Sequence, residues 1–142
     1  MTAAFAEARA AAARGEAPIG AVVVRDGAIL ARAGNRTRED ADPTAHAEMI
    51  AIRAAARSLG NERLTGCDLY VTLEPCPMCA GAIAHARLRR LYYAAEDVKG
   101  GGVDHGARVF AQPTCNHRPE VYGGLREAEA AELLRDFFAA RR

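Results

Sequence analysis

Two short segments of the chain combine residue types that bind metals and move protons. "TAHAEM", Thr44 to Met49, sets His46 and Glu48 two residues apart where a helix is expected to begin. "EPCPMC", Glu74 to Cys79, sets Cys76 and Cys79 three apart at the first turn of a second expected helix. Side chains at i and i+3 of a helical turn share a face, so both sulfurs can reach one ion. A helix N-terminus also favours thiolate over thiol, and thiolate is the form that ligates metal. His46 and Glu48 pose the opposite problem, because residues two apart diverge in mid-helix. They can serve one site only from the first turn, where side chains reach beyond the helix end.

Taken alone, a C-x-x-C pair also suits a redox disulfide or half of a structural zinc site. A redox site would cycle both sulfurs through a disulfide. A structural zinc would want a second ligand pair, and the chain has no other C-x-x-C and no H-x₃₋₅-H. His85, His105, His117 or Cys115 could each close a fourth position, though none stands at a typical ligand spacing. Joined, the two segments suggest a different chemistry. His46, Cys76 and Cys79 make three protein ligands, which leaves one tetrahedral position for water, as in catalytic zinc sites. Glu48 beside that water can accept its proton and deliver it elsewhere. Glu74, directly before Pro75, reads as a buttress of the strand end. Cys67 reads as a small buried residue, and Cys115 as loop packing.

The elements that must position these groups follow from pattern. "MTAAFAEARAAAARGEAP" reads as an amphipathic helix; it lacks the basic-then-apolar plan of a signal peptide, and Glu7 and Glu16 weigh against a transit peptide. "PIGAVVVRDGAILARAGN" reads as a hairpin turning at Asp26-Gly27. The polar "NRTREDADPT" is a loop, and "AHAEMIAIRAAARSLG" a helix closed by Gly60. "CDLYVTL" is a buried strand, "CPMCAGAIAHAR" a helix with Pro77 in its first turn, and "LRRLYYAAE" another strand. A long glycine-rich stretch from Asp97 to Leu125 reads as a functional or mobile loop. The last segment, "REAEAAELLRDFFAARR", is an amphipathic helix with Leu133, Leu134, Phe137 and Phe138 on or near its apolar side. Phe137 and Phe138 cannot both face inward, so one is left for a ligand or partner. Strands alternating with helices predict a mixed sheet covered by helices, with its crossover-linked strands parallel.

Composition sets outer bounds. The 142 residues are 50% hydrophobic and 26% charged, which suits one soluble domain spanning 1–142. No apolar run approaches the roughly 20 residues of a membrane helix, and a cytoplasmic protein is expected. A net charge of +1 does not announce a nucleic-acid binder, although a local patch would suffice. All basic residues but Lys99 are arginines, an excess that codon bias or phosphate recognition would equally produce. Arg87, Arg89 and Arg90 form the one basic cluster, open to a structural or a phosphate-binding reading. Tyr92 and Tyr93 read as packing residues.

The spacing H-x-E then P-C-x-x-C is that of zinc-dependent nucleobase deaminases. Beyond it, "PIGAVVVRDGAILARAGNRT", "DPTAHAEM", "LYVTLEPCPMCAGAIAHAR", "CNHRPEV" and "LLRDFF" together resemble the bacterial tRNA-specific adenosine deaminases, in that family's order and over most of the chain. The resemblance implies a cytidine deaminase-like three-layer α/β/α sandwich with a mixed, mostly five-stranded sheet. It implies one Zn²⁺ per subunit on His46, Cys76 and Cys79, with Glu48 as proton shuttle. It also implies a nucleoside pocket that includes Asn35, Ala17, Leu73 and the Ala47 N–H. Asn116, His117 and Phe138 fall where family members touch the anticodon loop. The small-residue "AGAIAHA" helix permits close packing, and the family's homodimeric state is expected. "KGGGVDHGARVF" and the Arg141-Arg142 ending depart from the family pattern where RNA would be held. The implied reaction is hydrolytic deamination of adenosine to inosine at the wobble position of an arginine tRNA. The competing readings are a deaminase of a free base or nucleoside (guanine, cytosine or cytidine) and a non-catalytic zinc-dependent binding protein, against which Glu48 argues.

Overall fold

The computed structural model describes residues 1–141; Arg142, half of the terminal arginine pair, lies outside them. In chain order the elements are α1 (Thr2–Ala13), β1 (Gly20–Arg25), β2 (Ala28–Gly34), α2 (Ala47–Leu59), β3 (Cys67–Leu73), α3 (Pro77–His85), β4 (Arg90–Ala95), β5 (Glu120–Tyr122) and α4 (Glu127–Ala139). The strands form one sheet in the order β2-β1-β3-β4-β5. β1 runs antiparallel to both neighbours, while β3, β4 and β5 are parallel. This is the mixed five-stranded sheet of the cytidine deaminase-like fold.

Local chemistry accounts for the element ends. Asp26 and Gly27 both take positive φ, the geometry a tight hairpin requires. Gly60 closes α2 in the left-handed conformation at φ 65°. Pro77 occupies the first position of α3, where a missing N–H costs nothing. β5 lies inside the stretch read above as loop. Its three residues are too few for alternation to show, and a 3-10 turn at Val109–Ala111 precedes it.

The two faces of the sheet carry different cores. Ala21, Val23, Leu69, Val71, Leu91 and Tyr93 point to the side covered by α2 and α3, joining Ala51, Ala55, Ala80 and Ile83. Phe5 of α1, Ala94 and Ala130 of α4 pack on the opposite side. Paired Gly20 and Gly34 let α1 lie directly on the hairpin; a Cβ on Gly20 would overlap the Ala4 carbonyl, and one on Gly34 would press on Glu7 and Ala11. Phe137 is buried and Phe138 is 49% exposed, so the two phenylalanines divide as expected. Tyr93 is buried, and Tyr92 stacks between Tyr70 and Tyr122 with ring centroids 4.5 and 5.2 Å apart. The basic cluster is engaged within the chain: Arg89 with Asp68, Arg90 with Glu120, and Arg87 with the Asn116 carbonyl.

Candidate active site

His46 and Cys76 are the N-cap residues of α2 and α3, with extended backbones at φ −70° in both cases. An N-cap side chain projects off the helix end rather than along its flank. That removes the conflict posed by the i, i+2 spacing: His46 stands before the helix and Glu48 within its first turn. Ala47, between them, is the first helical residue, whose N–H has no partner inside the helix. On α3, Cys79 follows Cys76 within the first turn. The C-terminal ends of β3 and β4 carry α3 and the loop that follows β4 to the same edge of the sheet.

The three potential ligands converge. His46 Nδ1 lies 3.6 Å from Cys76 Sγ and 3.5 Å from Cys79 Sγ, and all three atoms lie within 4.8 Å of one another. Tetrahedral zinc with bonds of about 2.0–2.3 Å places its ligand atoms roughly 3.3–3.8 Å apart, so the donor set fits that ion. Among the described residues no other His, Cys, Asp or Glu joins the group, and no cysteine is disulfide-bonded. His85, His105, His117 and Cys115 are therefore not a fourth ligand. The sulfur chemistry is already polarised: a hydrogen bond from Cys79, with a further one from His46, lowers the Cys76 pKa to about 4. Cys79, which shares its proton with Cys76, is pushed up correspondingly. The Cys76 contact raises His46 in turn.

Glu48 is buried, at 4% exposure. Burial drives its pKa upward from the ordinary carboxylate range, opposed by its own backbone N–H and the His46 charge. A carboxyl tuned upward beside a ligand cluster suits proton transfer near neutral pH.

The remaining expected positions divide into groups. Asn35 is buried at the end of β2, and the next residue, Arg36, donates its N–H to the Ala45 carbonyl just before His46. The Ile19 N–H bonds the Ala17 carbonyl and the Asn35 N–H bonds the Ile19 carbonyl, which ties Ala17 to the same corner. Leu73 packs toward the Phe5 cluster on the sheet's other face. Asn116 lines a cleft of about 250 Å³ with His85, Arg87, Gln112 and Cys115, separate from the ligand trio. The His117 Nε2–H donates to the Leu88 carbonyl, which leaves that nitrogen spoken for. Phe138 lines a surface depression with Lys99 and Arg135.

Glu74 does more than buttress a strand end. Its buried carboxylate accepts the backbone N–H groups of Asp97, Val103, Asp104 and His105, and the His105 Nδ1–H at 2.7 Å. These donors outweigh the cost of burial and hold its pKa below the usual range. The glycine-rich loop is thereby clamped onto the cysteine motif. The Gly102 N–H bonds the Pro75 carbonyl, and a Cβ at Gly102 would collide with Cys76 and Pro77. The run Gly100-Gly101-Gly102 hints in the sequence at a close backbone approach, but its partner, the Glu74–Pro77 segment, is distant along the chain and only the fold brings the two together.

Known proteins agree with this geometry. The MafB19-like deaminase family matches residues 1–142. A tRNA-specific adenosine deaminase from Agrobacterium fabrum is 62% identical over 142 residues, covering 100% of this chain and 93% of the relative. A structure solved in work on A-to-I editing by tRNA:A34 deaminases superposes with a TM-score of 0.93 at 63% identity, covering 94% of this chain and 97% of that one. A guanine deaminase from Bacillus subtilis is more distant, at 37% identity and a TM-score of 0.68 over 99% of this chain and 90% of that one. With full-length coverage and this identity, the chain belongs to the tRNA-specific adenosine deaminase family.

Proposed function

We propose that the protein converts adenosine to inosine by hydrolysis at the wobble position of tRNA, with an arginine tRNA as substrate. The convergence of His46, Cys76 and Cys79 from two helix N-termini beside the buried Glu48 carries the hydrolytic chemistry, and the 62% identity to a tRNA-specific adenosine deaminase over the whole chain supports the tRNA substrate. The two thiolates and one imidazole would hold one zinc per subunit. When bound, that ion would supply the Lewis acidity that activates water for attack near neutral pH. Glu48 takes a proton from the attacking water as oxygen adds to C6 of the base. It returns that proton to N1 and then assists the leaving amine, so that water and adenosine yield inosine and ammonia. An unpaired anticodon base suits this chemistry, because taking it out of its stack costs little.

In this reading Asn35, Ala17, Leu73 and the Ala47 N–H bound the nucleoside. Asn116, His117 and Phe138 approach the flanking anticodon loop, the first and last through exposed surface. The protein acts in the cytoplasm as a homodimer of single-domain subunits, each comprising residues 1–142. No helix among the described residues is long and apolar enough to cross a membrane.

The test compares an arginine tRNA anticodon stem-loop with free guanine, cytosine and cytidine as substrates. Inosine from the stem-loop, with little ammonia from the free compounds, is the expected result. Turnover of guanine without inosine in the stem-loop would replace the tRNA assignment by that of a free-base deaminase.

A further inference from the structure

A second buried carboxylate, outside the ligand cluster, faces the one polar side chain of the nucleoside corner. Glu16 follows α1 and is 0% exposed. Its Oε2 accepts the backbone N–H groups of Glu39 at 2.7 Å and Arg38 at 3.1 Å. Its Oε1 accepts the Asn35 Nδ2 amide at 3.4 Å and shares the Arg38 N–H at 3.3 Å. The other donor contact of Asn35 Nδ2 is to Thr37 Oγ1 at 3.3 Å. Burial alone would raise the Glu16 pKa, but the Glu39 and Arg38 amides outweigh it and keep the group ionised.

An ionised carboxylate only accepts hydrogen bonds, so the end of the Asn35 amide turned toward it must be the NH₂. The amide's carbonyl oxygen makes no hydrogen bond among the described residues. No fully buried side-chain oxygen or nitrogen there lacks a partner. Asn35 Oδ1 is therefore the end that reaches the open side of an otherwise buried residue. We propose that Glu16 is a positioning residue that fixes the orientation of the Asn35 amide, so that an acceptor rather than a donor is presented to the target nucleoside. This rests on the reading of Asn35 as a nucleoside contact. The chemistry it selects is an N–H or O–H donor on the substrate, from either the base or its ribose.

The consequence of Glu16→Gln follows from the same geometry. The Gln oxygen would take the place of Oε2 and accept from Arg38 and Glu39, leaving its NH₂ against Asn35. The Asn35 amide would then turn its carbonyl inward and present NH₂ to the substrate. Asn35→Asp alone would set two carboxylates against each other. Combining the two changes restores the pattern, because Gln NH₂ donates to one Asp oxygen and the other faces the substrate.

Two measurements on the metal-loaded protein decide the matter. The first needs no turnover: the side-chain NH₂ of Asn35, followed by ¹⁵N NMR, should exchange slowly in the wild type and faster in Glu16→Ala. An Asn35 amide that exchanges freely in the wild type overturns the proposal. The second uses the stem-loop. Glu16→Gln and Asn35→Asp should each lower kcat/KM by roughly 10- to 100-fold, the scale of an unmade hydrogen bond in a polar site. Metal content should stay unchanged, and the double variant should recover most of the loss. A purely structural carboxylate would give no such rescue. Glu16→Gln with wild-type kcat/KM, or a double variant no better than the weaker single one, contradicts the assignment. A target 2′-deoxyadenosine locates the donor: a persisting Glu16→Gln penalty assigns the base, and its disappearance assigns the ribose hydroxyl. A wild type that holds the Asn35 amide but makes no inosine would sink the tRNA reading and leave the amide assignment standing.

Discussion

His46 and Glu48 serve one site because of where α2 starts, not because of their spacing. The residue types and intervals announce a metal centre, since two cysteines three apart and a histidine make a catalytic donor set. That His46 and Cys76 are both N-caps depends on the final turn of loop before each helix, which a pattern of residue types does not specify. Glu16 escapes pattern altogether. It sits among alanines, glycine and proline as an ordinary polar residue, and only tertiary contacts with residues about twenty positions later make it a buried acceptor. Its folded-state pKa is lowered, so its contribution to stability is present above the ordinary glutamate value of 4.5 and fades as the pH falls through the lowered one. Glu16→Gln should therefore be less stable than wild type at pH 7, with the difference shrinking in acid. Urea unfolding at a series of pH values checks this, and a difference independent of pH would contradict it.

At the scale of elements, the first helix, the hairpin, the two central helix–strand units and the terminal helix were legible. Each carries its own punctuation: Asp26-Gly27, Gly60, Pro77 and the apolar periods between them. β5 was not, because a three-residue strand at a sheet edge gains its identity from pairing with β4. The glycine-rich loop is likewise organised from outside itself, by the Glu74 carboxylate. Glu74→Ala should leave the sheet intact while freeing the amides of Asp97, Val103, Asp104 and His105. Hydrogen exchange should then accelerate at those four positions and much less along β3 and β4. Because Gly102 rests on the Cys76–Pro77 segment, metal affinity should weaken too, as it does when outer contacts of ligands are lost, by roughly 10- to 100-fold. Unchanged exchange in the loop would show that the carboxylate does not hold it.

Across the whole molecule, the ligands join two helices that approach the site from separate parts of the chain, α2 at its start and α3 after β3. An ion bound by both helix starts links them, so metal binding must stabilise the folded state. At a hundredfold excess over Kd the linkage contributes about 2.7 kcal/mol, a Tm difference of roughly 5–10 °C in a chain of this size. Chelation should lower Tm by that order, and added zinc should restore it; a chelator-insensitive Tm would contradict a metal centre spanning the two helices. One substitution separates the ligand cluster from the proton shuttle. Glu48→Ala and wild type, each with its metal content measured, are assayed for inosine in an arginine tRNA anticodon stem-loop. Equal zinc, about one per chain, is expected in both, with a loss of turnover of at least about 10²-fold in the variant, the lower end for a general acid–base group. Equal rates in the two proteins, both loaded with zinc, would contradict that role for Glu48.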